Sequence, residues 1–134
     1  MPSATLPYSN PFGTGSRPYL ALTLTGVNST SHSIVGLLDT GADITALPVG
    51  HAALMGYGLE LLMQTTIGTA DGPGVAFRAT QQSTAIVTGL PSVPIALRPI
   101  FVPGAQTPLW GRTDVMRPFK VLFDDAGEAF TLNW

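Results

Sequence analysis

Leu37-Leu38-Asp39-Thr40-Gly41-Ala42-Asp43 is the stretch on which the reading of this chain turns. A short apolar run, residues 34–38, leads straight into an aspartate, a hydroxyl residue and a glycine. The aspartate is therefore expected at the end of a buried strand, where a charge is costly unless something holds it. Gly41 permits a sharp reversal that a Cβ would resist, and the Thr40 hydroxyl can bond a neighbouring backbone group and stiffen the turn. The product is a carboxylate presented rigidly, as acid–base chemistry requires. The chain carries this motif once, and one carboxylate alone rarely suffices for hydrolysis.

Two further blocks follow. Pro108-Leu109-Trp110-Gly111-Arg112-Thr113-Asp114-Val115-Met116 is an apolar-Gly-Arg segment near the C-terminus, and Ile67-Gly68-Thr69-Ala70-Asp71-Gly72-Pro73-Gly74 lies between it and the Asp39 turn. Residues 38–45 resemble the active-site signature of retropepsin-type aspartic proteases, the retroviral proteases and their cellular and bacterial relatives. The late block resembles that family's apolar-Gly-Arg-Asp/Asn segment, and the middle one falls where the family carries its flap hairpin. The three occur in family order across residues 20–123. Thr113 is an extra residue between Gly-Arg and Asp, and Asp71-Gly72-Pro73 stands in place of a glycine-rich tip. Both features are more like the bacterial and cellular branch than the viral one.

The resemblance implies an all-β, retropepsin-like half-lobe of the closed β-barrel type, with one or two short helices, paired as a two-fold homodimer. It implies an aspartic endopeptidase that binds an extended peptide, with Asp39 catalytic and no metal or organic cofactor. Thr40, Gly41, Asp43 and Arg112 would support the active-site loop, with Asp43 paired to Arg112. Arginine's planar fork suits such a contact better than lysine. Thr69, Ala70, Asp71, Gly72, Pro73 and Gly74 would form the flap, made mobile by Gly68, Gly72 and Gly74 and stiffened at its tip by Pro73. Because chain ends interleave at the retropepsin dimer seam, residues 119–134 and 11–19 are the expected interface. The alternatives are a non-catalytic peptide-binding and homodimerisation module of the same fold, or a plain β-sandwich interaction domain.

Composition agrees with one lobe. The 134 residues suffice for one core, whereas pepsin-type enzymes carry two catalytic lobes in one chain. Only 10% of residues are charged against 45% hydrophobic, so much of the surface is uncharged and suited to burial against a second copy. A net charge of −2 without a basic cluster argues against nucleic acid or an anionic membrane as partner. Zero cysteines exclude a disulfide framework and a Cys-based zinc site, and fit a cytoplasmic location. No apolar run reaches the length of a membrane span. Residues 1–17 lack a basic start followed by an apolar core, so they read as an extended arm rather than a signal peptide.

Frequent Gly and Pro (15 and 12) leave little room for long helices. Residues 1–18 are read as an extended N-terminal arm, the first nine a free tail, and residues 19–134 as the protease domain. Residues 19–27 alternate apolar and hydroxyl side chains, the pattern of a half-buried strand, and residues 34–38 form the next strand. Residues 47–55 read as a loop with one helical turn, started by Pro48. Residues 59–68 and 75–82 flank an Asp71-Gly72 hairpin turn. Residues 83–88 and 93–102 are expected to pair across Gly89-Leu90-Pro91-Ser92, and residues 119–123 and 128–132 around Asp124-Asp125-Ala126-Gly127. Residues 112–118 read as a short helix capped by Asp114. His32 and His51 are expected as isolated surface residues, and Trp110 and Trp134 as core or interface aromatics.

Overall fold

A computed structural model describes residues 2–90 and 93–134 of the chain. Its backbone is mostly β. Strand β1 is Ser3–Pro7, β2 Tyr19–Thr25, β3 Ser31–Leu38, β4 Ala46–Pro48, β5 Leu62–Thr69 and β6 Gly72–Ala79. They are followed by β7 Ser83–Val87, β8 Ile95–Leu97, β9 Ile100–Val102, β10 Leu109–Trp110, β11 Lys120–Asp124 and β12 Ala129–Asn133. One short α-helix, α1 (Gly50–Leu54), and a 3-10 turn at Leu59–Leu61 complete the described elements.

Nine strands form one curled half-barrel sheet in the order β5-β6-β9-β4-β10-β3-β2-β7-β8, and three form a second, β1-β12-β11. The alternation read in residues 19–27 is realised in β2, where Leu20, Leu22 and Leu24 are fully buried and the alternate side chains Ala21, Thr23 and Thr25 are half-buried. β2 lies antiparallel between β3 and β7. Its leucines join Leu38, Leu47, Met55, Phe101 and Trp110 in one core. Phe130 and Leu132 extend that core beneath the second sheet.

The feature that positions everything near Asp39 is β10. It runs parallel to β3 (Leu109 opposite Leu37, Trp110 opposite Leu38) and antiparallel to β4 (Leu109 opposite Ala46). The late block thus inserts between the two strands that enter and leave the Asp39 turn. Trp110 is completely buried, and its indole N–H donates to the Leu20 carbonyl at 2.9 Å. The ring fills the space over Gly36, where an added Cβ would come within 2.6 Å of indole Cε2.

Several expectations are corrected. Residues 3–7 are not a free tail: β1 pairs antiparallel with β12 from Ser3↔Asn133 to Pro7↔Ala129. Ala4 and Leu6 are the less exposed residues of that strand, and Leu6 packs on the core. Residues 112–118 make turns and no regular helix. Within the segment Met116 N–H bonds the Gly111 carbonyl five residues back and Phe119 N–H the Met116 carbonyl three back, while Arg112 N–H and Thr113 N–H tie it to Ala42 and Asp43. No run of bonds four residues apart forms, and Asp114 caps no helix. Pro48 ends β4 rather than starting α1. Residues 59–61 turn before β5 begins, and β6 starts at Gly72, three residues ahead of its expected start and ends at Ala79.

Residues 93–102 are not one strand. The chain breaks at Arg98-Pro99, leaving β8 on β7 while β9 crosses to β4 and β6. Proline has no N–H to continue a ladder. The expected turn at Pro91-Ser92 lies outside the described residues. The last hairpin forms with each strand one residue later than expected, Lys120–Asp124 against Ala129–Asn133.

Gly36→Ala tests the β3–β10 packing. The Trp110 ring has no room to retreat, so overpacking should cost about 1–3 kcal/mol, read as a lower urea midpoint with an unchanged slope.

Candidate active site

Asp39 follows the last residue of β3 and is half-buried. Its own amide donates to the Trp110 carbonyl at 3.2 Å, and its carbonyl accepts from Ala42 N–H at 3.1 Å. Carboxylate Oδ1 accepts from Gly41 N–H at 2.9 Å, which fixes the side chain's orientation; Oδ2 has no bond among the described residues. Thr40 is exposed at the turn. The aspartate is thus held from below by β10 and from the side by its own turn, with one oxygen free.

Asp43 and Arg112 form the expected ion pair. Both side chains are open to solvent in the single chain, 70% and 55% exposed respectively. Such a pair contributes about 0–1 kcal/mol. The firmer link between the two loops is hidden and was not read from the sequence. Thr45, wholly buried, donates its hydroxyl to Asp114 Oδ1 at 2.8 Å and its amide to Asp114 Oδ2 at 3.1 Å. The same hydroxyl accepts from Gly111 N–H at 3.1 Å. Asp114 Oδ1 also accepts from Val115 N–H at 2.7 Å. A hydroxyl one turn beyond an Asp-Thr-Gly and an aspartate just after a Gly-Arg are the only sequence signals for this clasp. Gly111 is needed for it: a Cβ there would lie 2.4 Å from the Ile44 carbonyl carbon.

The β5–β6 hairpin turns through Ala70-Asp71. Gly72 takes φ +107°, a conformation L side chains rarely adopt, and Thr69 Oγ1 donates to the Gly72 carbonyl at 2.5 Å. β6 meets β9 only at Phe77 and Arg78, so toward the tip the hairpin pairs only with itself among the described residues. A groove of about 460 Å³ separates it from the Asp39 turn. Ala42, Asp43 and Ile44 line one side, Ile67 and Gly68 the other, with Ile100 and Leu109 at the floor. The expected flap residues Thr69, Ala70, Asp71, Gly72, Pro73 and Gly74 do not line this groove. The β9 residues that do were hidden by reading residues 93–102 as one strand.

Past Thr40 lies a second hollow of about 290 Å³, lined by Tyr8, Pro18, Leu38, Thr40, Phe123 and Asp125. The Tyr8 hydroxyl donates to Asp125 Oδ1 at 2.5 Å. That bond, reinforced by desolvation and by the charges of Asp125 and Asp124, raises the phenol from 10.0 to about 12. The histidines are less free than expected. His32 Nε2 lies 3.1 Å from the Leu54 carbonyl, and His51 Nδ1 is buried without a partner. Burial, then the nearby His32, lowers the His51 pKa. Among the described residues no group of three or more His, Cys, Asp or Glu could hold a metal ion, and no helix is long and apolar enough to cross a membrane.

The sequence matches no protein-family model and no curated protein. The structure does find similar ones. A retropepsin-like aspartic protease from Rickettsia conorii superposes with a TM-score of 0.65 over 98% of this chain and 99% of that one, at 19% identity. EIAV protease complexed with the inhibitor HBY-793 superposes with a TM-score of 0.52 over 79% of this chain and 90% of that one, at 23% identity. The fold is retropepsin-like. In that retropepsin-like frame, the sequence blocks around Asp39 and Arg112 meet at one place, while the hairpin tip stands clear of the groove.

Two measurements check the site's energetics. Thr45→Val keeps the shape but leaves the Gly111 amide unsatisfied, and should destabilise by about 1–3 kcal/mol; Arg112→Ala in the isolated chain should cost under about 1 kcal/mol. Chemical denaturation of both variants at one protein concentration ranks them. For Tyr8, the raised pKa means that the folded state holds its proton more tightly than the unfolded one. Its contribution is present below the ordinary phenol value of 10.0 and is lost as pH rises through about 12. Absorbance titration should show one phenol ionising near that upper limit, absent in Tyr8→Phe.

Proposed function

We propose that this chain is an aspartic endopeptidase, active as a two-fold homodimer in which each copy contributes one Asp39. The observation that carries this reading is the Asp39 carboxylate, pinned by the Gly41 amide through one oxygen and free at the other, in a turn whose next residues, Ala42, Asp43 and Ile44, wall a groove shared with Ile67 and Gly68 of the β5–β6 hairpin. A chain with one Asp-Thr-Gly supplies a carboxylate pair only by self-association. The two structures named above are proteases by name, and the EIAV one is complexed with an inhibitor, which supports a groove that takes a peptide.

The chemistry follows from proximity. Two carboxyls about 3 Å apart cannot both ionise readily, so they share one proton, a case for which aspartic proteases are the standard illustration. The ionised member takes a proton from water, which attacks the scissile carbonyl. The protonated member hydrogen-bonds the carbonyl oxygen as charge develops there. Thr40, Gly41, Asp43 and Arg112 act as supports of this loop rather than as reacting groups. Residues 69–74, which do not line the groove in the single chain, swing over it when substrate binds and add backbone hydrogen bonds to an extended peptide. Water activated by carboxylates needs no metal or organic cofactor.

Asp39→Asn should reduce cleavage of a peptide library by at least a thousandfold with an unchanged denaturation midpoint. Wild-type activity should be bell-shaped in pH, with its optimum below neutrality, because the pair works only while it holds one proton. Specific activity should fall on serial dilution as the dimer dissociates. Cleavage that survives in Asp39→Asn at a tenth of wild type rejects the aspartic mechanism. A folded dimer that binds peptides but cleaves none, at any pH, establishes the non-catalytic module instead.

A further inference from the structure

The second sheet has one edge prepared for a partner and one that is not. β11 has a neighbour on one side only, β12. Its sequence is Lys120-Val121-Leu122-Phe123-Asp124, without a proline or a bulge to blunt it. Leu122 is 53% exposed and Phe123 39% exposed. An apolar, regular edge strand left open is a template for pairing. The opposite edge, β1, ends in Pro7 and turns its Ala4 and Leu6 away from solvent. In the nine-stranded sheet, edge strand β8 is only three residues long, and edge strand β5 is polar at its centre, Gln64-Thr65-Thr66.

The five residues of β11 are complementary to their own reverse. Two copies laid antiparallel about a two-fold axis through Leu122 bring Lys120 of each opposite Asp124 of the other. Val121 then faces Phe123, and Leu122 meets its own copy. Opposite charges and apolar pairs directly across strands are the favourable cross-strand combinations, and like charges the unfavourable ones. Sliding the strands by two residues sets Leu122 against Lys120 or Asp124, and a slide of one mismatches the two faces. Lys120 takes part in no ion pair among the described residues. Phe123 also lines the hollow shared with Leu38 and Thr40, so a partner seated on β11 abuts the Asp39 turn.

We infer that the homodimer is built by β11 pairing with β11 of a second copy, giving a continuous six-stranded sheet in the order β1-β12-β11-β11-β12-β1. Each chain keeps its own β1, held in place by the register with β12 and by the Thr5–Thr131 hydroxyl contact at 2.8 Å. This seam differs from one in which chain ends interleave between copies, and it rests on the homodimer reading above.

Charge reversal tests it without reference to catalysis. In sedimentation velocity, Lys120→Asp and Asp124→Lys should each weaken self-association at least tenfold, and an equimolar mixture should recover a dimer of near wild-type affinity. Asp124 also accepts from Gly127 N–H, so its replacement disturbs the turn, and a second measurement stands apart from it. The chain has no cysteine. Leu122→Cys therefore carries a single thiol, which should oxidise to a covalent dimer at least tenfold faster than Leu59→Cys, whose site is 85% exposed but off the seam. A wild type that stays monomeric at every concentration, or equal oxidation of the two thiols, overturns the seam. An active dimer indifferent to Lys120→Asp overturns the seam and leaves the endopeptidase reading standing. An inactive dimer that obeys the charge pattern does the reverse.

Discussion

The Thr45 hydroxyl is the point on which the site depends. It is fully out of solvent and bonded on both sides, donating to Asp114 and accepting from Gly111. Through it the residues after the Asp39 turn are tied to those after β10. Buried polar groups contribute when every member of the network is satisfied, and become costly when one is not. The clasp therefore fixes the two loops in a single relative position. The Asp39 turn inherits its rigidity from that position and from the Trp110 carbonyl that its amide bonds.

This ordering of forces differs from what the charges alone suggest. Asp43 and Arg112 draw attention as the ion pair between the same two loops. In one chain they are open to water, where screening and side-chain entropy take back most of the attraction. Backbone bonds next to them, from the Arg112 amide to Ala42 and from the Thr113 amide and hydroxyl to Asp43, do the holding. The ion pair's larger role waits on whatever desolvates it.

Much of the fold was legible because it rests on local pattern. The Leu20-Leu22-Leu24 alternation marks a one-sided strand, Asp71-Gly72 marks a hairpin whose loop falls one residue earlier, at Ala70-Asp71, and residues 37–43 mark a strand-ending turn. The resemblance carried by residues 38–45 and 108–116 anticipated that those blocks meet. What the sequence hid was non-local. Nothing in residues 1–9 announces that Ala4 and Leu6 find Phe130 and Leu132 at the other end of the chain. The turns of residues 112–118 share a helix-compatible composition, and what holds them in another shape, the bonds of the Arg112 and Thr113 amides to Ala42 and Asp43 and of Thr45 to Asp114, comes from a loop far away in the sequence. Pro99 was a visible signal for the split between β8 and β9, and carried more weight than the apolar run around it.

The pairing of the first strand with the last has a consequence for the order of assembly. Thr5 and Thr131, which touch, are 126 positions apart, whereas β2 and β3 or β5 and β6 close over short connections. Loop closure over such a span costs little more in free energy than over half of it, but contacts distant in sequence form slowly. The three-stranded sheet can therefore be completed only when residues near both ends are present. Loss of the first segment removes β1 from that sheet, and loss of the last removes Phe130 and Leu132 from the core as well. The sheet thus couples the two terminal segments of this lobe to one another, a dependence set by topology.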